Sequence, residues 1–237
     1  MTTALITGAN KGLGLETARR LGDLGWTILV GSRDPERGQE ATATLTDAGV
    51  DAHLVEVDVT SDASVSAAVE AVRADFGGLL DVLINNAGIV GQRTPPLETG
   101  PEHFLACFGV NLLGPVRVTR AMLPLLEASA HPRIVNVSSG MGSIGVTTDP
   151  QRHESGLITL VYPSSKAALN MVTTQYAKAL PHFRINAVDP GYTATDLNGH
   201  AGFQSVEEGA TVIVEMAQVA PDGPTGGFFD KNGPVPW

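Results

Sequence analysis

Four residues in the central part of the chain have the types and spacing needed to move a proton to or from an oxygen. Tyr162 and Lys166 are four positions apart, which places them on one face of a helix. A free phenol has a pKa of about 10, and a nearby ammonium lowers that value by stabilising the phenolate. Ser139 ends a predicted strand and can donate a hydrogen bond to an oxygen whose charge changes. Together with Asn111, these residues indicate hydride chemistry on a carbonyl or an alcohol.

A glycine-rich segment near the start of the chain is suited to binding a pyrophosphate. Gly8, Gly12 and Gly14 lie between the first predicted strand and the first predicted helix. Glycines at such a junction allow a tight turn and a close approach of backbone amides, and the helix dipole favours negative charge. The spacing differs from G-x-G-x-x-G by placing three residues after the first glycine. A glycine turn without a ligand is the alternative, and the strand–helix context favours a dinucleotide.

Short apolar segments alternate with helix-length segments along almost the whole chain. Several apolar segments are continuous, as expected for parallel strands buried on both faces. The predicted strands are Ala4–Thr7, Thr27–Gly31, His53–Val57, Val82–Asn86, Ile134–Ser138, Ile185–Val188 and Gly227–Phe229. The predicted helices are Gly14–Leu24, Pro35–Ala48, Ala63–Phe76, Glu102–Ala128, Ser164–Leu180 and Val206–Val219. This order predicts an α/β fold: a doubly wound, mainly parallel seven-stranded sheet with helices on both faces, in one domain over residues 1–237.

Composition and charge exclude several classes of function. The net charge of −10 argues against nucleic acid or an anionic membrane as a partner, because both reward clustered Lys and Arg. The lone Cys107 forms no internal disulfide and is expected to be a buried filler, which fits a reducing cytosol. No apolar run reaches the roughly 18 residues of a membrane span, and no leader-like segment precedes the first strand. A cytoplasmic protein is therefore expected.

Metal and hydrolase sites find no support in the residue pattern. The six histidines are scattered, without an H-x-x-x-H spacing or a cysteine partner, so no metal site is expected. The chain also lacks a G-x-S-x-G nucleophile motif. The reactive groups that remain are the four described above.

These motifs together resemble the single-domain branch of the short-chain dehydrogenase/reductase family, and within it the carbonyl-reductase-like members. The resemblance covers essentially the whole chain. Its motifs are Thr7-Gly-Ala-Asn-Lys-Gly-Leu-Gly14, Asp58-Val59, Asn85-Asn-Ala-Gly88, Asn111, Ser138-Ser139, Tyr162-x-x-x-Lys166 and Pro190-Gly-Tyr-Thr-Ala-Thr-Asp196. It implies a Rossmann fold and a reaction between a nicotinamide cofactor and a small carbonyl or alcohol.

The resemblance also implies individual roles. Asn111 would hold a water that links Lys166 to solvent, and Lys166 would bind the ribose hydroxyls. Asp58 and Val59 would contact the adenine. The remaining cofactor-binding residues implied are Gly8, Asn10, Lys11, Gly12, Leu13, Gly14, Asn85, Ala87, Gly88, Tyr162, Pro190, Gly191, Thr193 and Thr195.

Some of these residues have structural alternatives. A Tyr-x-x-x-Lys pair arises by chance on amphipathic helices, and Asn111 could be a kink residue near Gly114-Pro115. Three motifs are expected both to build turns and to line the site: Asn85-Asn86, Asp58 and Pro190-Gly191. Within the serine pair, Ser138 is assigned the structural role and Ser139 the catalytic one.

Residues at the end of the second strand predict which cofactor is used. An NAD-specific site usually carries a carboxylate there to bind the ribose 2′-hydroxyl. Here the strand ends in Arg33, and Lys11 lies inside the glycine loop, so two cations suit the 2′-phosphate of NADP(H). Asp34 is the counter-evidence, but its place before Pro35 makes it a good helix N-cap.

The leading hypothesis is an NADP-dependent oxidoreductase that interconverts a ketone or aldehyde and an alcohol. One alternative is a cofactor-sensing regulatory protein on the same fold, which would be expected to have lost Tyr162 or Lys166. Another is an NAD-dependent alcohol dehydrogenase. A sugar-nucleotide epimerase is disfavoured by the glycine spacing and by the lack of a second substrate domain. The identity of the small-molecule substrate is not encoded in any motif.

The stretch between Ser139 and Tyr162 is longer than in relatives that assemble as tetramers. Its polar part, Thr147–Ser155, predicts a solvated excursion, and one alternative is a loop that is merely tolerated at little thermodynamic cost. We expect it to fold over the helix face that such relatives use for pairing, to hold the protein monomeric, and to form one wall of the substrate cleft.

Overall fold

The computed structural model describes residues 2–237 and contains one twisted sheet of eight strands. The strands lie in the order β3-β2-β1-β4-β5-β6-β7-β8, and all neighbours are parallel except β7 and β8. Their bounds are β1 Thr3–Thr7, β2 Thr27–Ser32, β3 Ala52–Glu56, β4 Val82–Asn85, β5 Arg133–Val137, β6 Arg184–Val188, β7 Phe228–Asp230 and β8 Gly233–Pro234. The predicted doubly wound, mainly parallel sheet is confirmed.

The predicted number of seven strands is wrong by one. The additional strand, β8, has two residues and returns antiparallel to β7 through a tight turn. In that turn the Asn232 amide donates to Asp230 Oδ1 at 2.7 Å, and Gly233 has a φ of 119°. A two-residue strand is too short to produce an alternating pattern, so no periodicity marks it in the sequence.

Helices cover both faces of the sheet. Their bounds are α1 Gly12–Gly22, α2 Pro35–Asp47, α3 Asp62–Asp75, α4 Glu102–Phe108, α5 Gly114–Leu126, α6 Ile144–Thr147, α7 Val161–Ala179 and α8 Val206–Ala217. Within β1, Ala4 and Ile6 pack with α1, α2 and α8, whereas Leu5 packs with α3, α5 and α7. Successive residues of a strand point to opposite faces. One continuous apolar strand therefore supplies both cores.

Side-chain caps begin α2, as predicted from Asp34, and also α3. The Asp34 side chain accepts a hydrogen bond from the Arg37 amide at 3.2 Å, with Pro35 in the first turn. Ser61 accepts from the Ser64 amide, also at 3.2 Å. These bonds satisfy backbone donors that a helix N-terminus leaves open.

The predicted single helix Glu102–Ala128 is interrupted. A π-helical turn, Gly109–Leu113, separates α4 from α5 and contains Asn111. Pro115 follows in the first turn of α5 and has no backbone N–H to donate to the carbonyl of Asn111. Turns of this kind often mark functional sites. The kink proposed as an alternative role for Asn111 is therefore real.

Candidate active site

Four loops leave the carboxyl ends of adjacent strands and meet at one edge of the sheet. They follow β1 (the glycine loop, residues 8–14), β4 (residues 86–91), β5 (from Ser138) and β6 (from Asp189). In open α/β sheets, ligands bind at this edge. The residues predicted from widely separated parts of the sequence are thus placed on four neighbouring loops.

Tyr162 and Lys166 lie on the first turns of α7. The helix begins at Val161, three residues earlier than predicted, so Tyr162 lies in its first turn. The Lys166 side chain is buried; its Nζ donates to the Val137 carbonyl at 2.8 Å and lies 5.7 Å from the centre of the Tyr162 ring. Burial lowers the pKa of Lys166 to about 8. A lysine whose pKa lies this near neutral pH is suited to passing a proton.

The Ser139 side chain lies close enough to the hydroxyl of Tyr162 to favour the phenolate. Burial nevertheless raises the pKa of Tyr162 well above its usual range; the interaction with Ser139 partly offsets this, and the negative charge of Asp189 adds to it. The lowering predicted from the neighbouring ammonium is therefore wrong for the protein alone, because desolvation outweighs it. Tyr162 is therefore a neutral phenol in the protein alone.

The two adjacent serines have different surroundings. Ser138 is buried, and its hydroxyl donates to Asn170 Oδ1 at 2.5 Å. Ser139 accepts a hydrogen bond from the Met141 amide at 3.2 Å, which leaves its own hydrogen free to be donated. These contacts support the assignment of Ser138 to structure and of Ser139 to chemistry.

The amide of Asn111 is fully buried and engaged. Its Oδ1 accepts from the Ile89 amide at 2.9 Å, and its Nδ2 donates to the Ile89 carbonyl at 2.8 Å and to Ser165 Oγ at 3.0 Å. The N–H groups of the amide are used, so the predicted water would bind to an oxygen of Asn111 rather than to its amide nitrogen. The backbone carbonyl is one such oxygen, because Pro115 cannot donate to it.

The glycine loop has the geometry of a phosphate cradle. Gly8 and Gly12 have φ values of 65° and 54°, which favour glycine. A Cβ on Gly14 would lie 2.5 Å from the Gly8 carbonyl oxygen, so no side chain fits there. Lys11 precedes α1 and makes no side-chain cap, so no side chain at the N-cap occupies the first-turn amides. Asn10 and Leu13 complete the loop, and Leu13 packs against the core.

Asn86 belongs to the Asn85–Gly88 motif but is not among the predicted site residues. It holds the glycine loop in place. Its Nδ2 donates to the carbonyls of Thr7 and Gly8 at 2.8 and 3.0 Å. The Thr7 hydroxyl in turn accepts from the amides of Asn86 and Ala87. The signal was available, because Asn86 is the first residue beyond β4 and faces the loop after the neighbouring strand β1.

Asn85 and Gly88 occupy different positions on the same loop. The Asn85 amide points into the interior and donates to Asn136 Oδ1 at 2.8 Å and Thr119 Oγ1 at 3.2 Å. Its side chain is therefore unsuited to the predicted cofactor contact. A Cβ on Gly88 would lie 3.5 Å from Asn111 Oδ1 and 3.6 Å from Lys166 Nζ, so Gly88 lies over the catalytic group.

The ends of β2 and β3 carry the residues predicted to meet the adenosine half of a cofactor. Arg33 is exposed at the tip of β2. Burial tends to raise the pKa of Asp58, but hydrogen bonds from Thr60 and the charges of Arg33 and Arg117 hold it below its usual range. The Val59 side chain is buried against Gly114, which leaves only its backbone for a ligand.

Lys11 does not point freely at a phosphate. Its Nζ forms an ion pair with Asp196 Oδ2 at 2.7 Å, and both side chains are more than half exposed. Exposed pairs of this kind are weak and easily exchanged. Asp196 follows Thr195, whose Cγ2 would lie 3.6 Å from a Cβ on Gly12. The β6 loop therefore arches over the glycine loop.

The β6 loop is stabilised by its own polar groups. Gly191 has a φ of 73°, the Thr193 hydroxyl donates to the Pro190 carbonyl at 3.0 Å, and the Thr195 amide donates to Asn198 Oδ1 at 3.3 Å. Asp189, another residue not selected from the sequence, is buried and accepts from the Gly191 amide at 3.0 Å. Burial raises the pKa of Asp189.

The segment Thr147–Ser155 is partly helical and packs against the β6 loop. The His153 ring lies 5.5 Å from the Tyr192 ring and 6.0 Å from the Phe203 ring. Residues 151–154 and 189–192 line a cavity of about 310 Å³ between these loops. The helices that tetrameric relatives use for pairing correspond to the predicted helices Glu102–Ala128 and Ser164–Leu180, and within these ranges Leu113 and Met171 remain 51% and 61% exposed. The expectation that this segment covers that pairing face is therefore wrong.

Residues 2–237 contain neither a metal-binding cluster nor a membrane-spanning helix. No cluster of three or more His, Cys, Asp or Glu side chains in that range could hold a metal ion, and none of its helices is long and apolar enough to cross a bilayer. Cys107 is buried as expected, and burial raises the pKa of its thiol.

Known proteins are similar to this chain in sequence and in fold. The family model described as short chain dehydrogenase matches residues 2–204. The (-)-isopiperitenone reductase of Mentha piperita is 34% identical, with 97% of this chain and 96% of the relative covered. The short-chain dehydrogenase anuI of Penicillium roqueforti is 40% identical, with 90% and 87% covered. The NADPH-bound carbonyl reductase from chicken fatty liver has a TM-score of 0.88 at 27% identity, with 100% and 99% covered.

Proposed function

The chain belongs to the short-chain dehydrogenase family, and from this premise we propose that it is an NADP(H)-dependent oxidoreductase that interconverts a ketone or aldehyde and an alcohol. The observation that carries the proposal is the position of the buried Lys166, whose Nζ lies 5.7 Å from the Tyr162 ring and 2.8 Å from the carbonyl oxygen of Val137, two residues before Ser139. The proton donor, the carbonyl-polarising hydroxyl and the lysine lie together at the sheet edge that carries the glycine loop.

The cofactor supplies the hydride that reduces the carbonyl carbon. Ser139 and Tyr162 hold the carbonyl oxygen of the substrate, where negative charge develops, and Tyr162 transfers its proton there. Tyr162 must then recover a proton. Lys166, with a pKa of about 8, would deliver it, and the Asn111 carbonyl, to which Pro115 cannot donate, would hold a water on the path from solvent. Alcohol oxidation uses the same groups in reverse.

The cofactor fits the residues present. The cradle formed by Gly8, Gly12 and Gly14 leaves room for a pyrophosphate against backbone amides. Arg33, exposed at the tip of β2, suits a 2′-phosphate. Gly88, Pro190, Gly191 and the backbone of residues 193–195 would line the nicotinamide end. A solved structure with the same fold is titled as NADPH-bound, which supports this choice.

A cofactor-sensing protein on the same fold is the second candidate. It is disfavoured because Tyr162, Lys166 and Ser139 are all present and brought together. The deciding experiment follows NADPH oxidation with a panel of aldehydes, quinones, isatin and keto-steroids. Turnover of any member supports the enzyme. Tight NADPH binding without turnover across the panel would favour the sensor.

Two further properties belong to this proposal. A cytoplasmic location is supported by the single, buried Cys107. We also propose a monomeric state, although the segment Thr147–Ser155 does not cover the helices that tetrameric relatives use for pairing. Light scattering at micromolar concentration tests it, and a stable dimer or tetramer would rule it out.

A further inference from the structure

Ser165 lies between Tyr162 and Lys166 in sequence but faces the interior of the protein. It is completely buried, and its hydroxyl contacts three different segments. We propose that Ser165 is a positioning residue that fixes the distance between Tyr162 and the π-helical turn of Asn111. This inference rests on the proposed function, and it assigns a role to a residue outside the four expected to do chemistry.

The hydrogen bonds of Ser165 have a definite direction. Its Oγ donates to the Tyr162 carbonyl at 2.7 Å and accepts from Asn111 Nδ2 at 3.0 Å. Cys107 Sγ lies 3.6 Å away. Because a hydroxyl has only one hydrogen, its donation to Tyr162 leaves its oxygen available to Asn111. The first turn of α7 and the π turn are thereby joined through one atom.

The connection continues to the loop after β4. Asn111 holds both backbone groups of Ile89, the residue following Gly88. Three segments that carry Tyr162, Asn111 and Gly88 therefore share one buried network. Without the Ser165 hydroxyl, only Cys107 Sγ, at 3.3 Å, remains to accept from the second N–H of Asn111. Sulfur is a weak acceptor, and a buried N–H with a poor acceptor incurs a desolvation cost, so removing the Ser165 hydroxyl favours rearrangement of the π turn.

The neighbouring serine provides a matched control. Ser164 is exposed on the same turn of α7, and its hydroxyl donates to the Leu160 carbonyl at 2.6 Å, four residues earlier. That bond stays within its own helix end and reaches no part of the site. Substituting either serine by alanine changes the same atoms on the same helix, and only one change affects the network.

The test compares Ser165→Ala, Ser164→Ala and Ser165→Thr with the parent protein. We expect kcat to fall about 10-fold or more in Ser165→Ala, because a small misplacement of a reacting group is costly. We expect a dissociation constant for NADPH within about twofold, since the glycine loop and Arg33 are untouched, and an unchanged KM for NADPH. Ser165→Thr keeps the hydroxyl and should restore most of the kcat. Ser164→Ala should match the parent in every measurement.

Hydrogen exchange provides a readout that does not depend on turnover. The Ile89 amide should exchange faster in Ser165→Ala than in the parent and in Ser164→Ala. If the parent reduces no carbonyl, the proposed function fails while this measurement still decides whether Ser165 holds the network. Unchanged exchange at Ile89 would overturn the proposal. So would an unchanged kcat, or a lower Tm with normal kcat in the folded protein, which is the signature of a merely structural role.

Discussion

Lys166 donates to the carbonyl of Val137 at 2.8 Å while its ammonium lies 5.7 Å from the ring of Tyr162. The bond to Val137 orients the ammonium but brings no negative charge to it. Burial is the dominant influence, and it lowers the pKa of Lys166 to about 8. The free energy of unfolding should therefore depend on pH in the range where Lys166 titrates.

The first prediction follows from that pKa. Below pH 8, Lys166 is protonated in both states and adds no slope to the free energy of unfolding. Between pH 8 and 10.5 the folded protein has lost this proton while the unfolded chain keeps it, so stability rises with pH. We expect a relative gain of about 2 kcal/mol between about pH 8 and 10 in the cofactor-free protein, compared with Lys166→Met.

Urea unfolding at several pH values measures this difference. Cys107 and Tyr162 also have shifted pKa values, but both proteins contain them. Their contributions to the pH dependence of stability therefore cancel when the parent is compared with Lys166→Met. Parallel stability curves for the two proteins across this range would mean that Lys166 keeps its ordinary pKa.

The second prediction concerns the proton donor. Tyr162→Phe retains the ring but removes the hydroxyl that interacts with Ser139. We expect kcat to fall by about 100-fold or more, the usual loss when general acid catalysis is removed. NADPH affinity, measured by fluorescence titration, should change little. Turnover close to that of the parent would sink the assignment of Tyr162.

The third prediction concerns cofactor choice. The parent should have a higher kcat/KM with NADPH than with NADH, and Arg33→Ala should sharply reduce that ratio, because Arg33 is the exposed cation at the tip of β2. Lys11→Ala should have a smaller effect, since Lys11 is already paired with Asp196.

Arg37→Ala is the matched control for Arg33. Arg37 is also an exposed arginine near this tip, but it pairs with Asp34 at 3.5 Å. Its removal should leave the NADPH preference intact. Equal kcat/KM for the two cofactors in the parent would refute the prediction.

How much of this site the sequence predicts depends on how local its signals are. The sheet, the glycine loop and the order of Ser139, Tyr162 and Lys166 follow from strand–helix alternation and short motifs. The π turn does not, because the apolar pattern of residues 102–128 runs through it, and the only mark is Gly114-Pro115.

Contacts between segments that are far apart in sequence were the least predictable. The amide of Asn111 is used by Ile89 and Ser165, and Lys11 is paired with a residue 185 positions away. Asn85 and Asn86 are adjacent, yet one points into the core and the other holds the glycine loop. Strand alternation separates them, and only the exact end of β4 decides which side chain faces the site.

The last prediction concerns the wall of the substrate cleft. His153 packs against Tyr192 and Phe203, which joins the segment Thr147–Ser155 to the β6 loop. Replacing residues 149–155 by a short glycine–serine linker removes these contacts but leaves Ser139 and Tyr162 in place. We expect the KM for the carbonyl substrate to change several-fold and the KM for NADPH to stay the same, because the segment lies away from the glycine loop. His153→Ala should give a smaller change in the same direction, with Arg93→Ala, an exposed cation between β4 and α4, as a control. A KM for NADPH that moves with that of the substrate would contradict the placement of this wall, because it would mean that the segment reaches the cofactor as well.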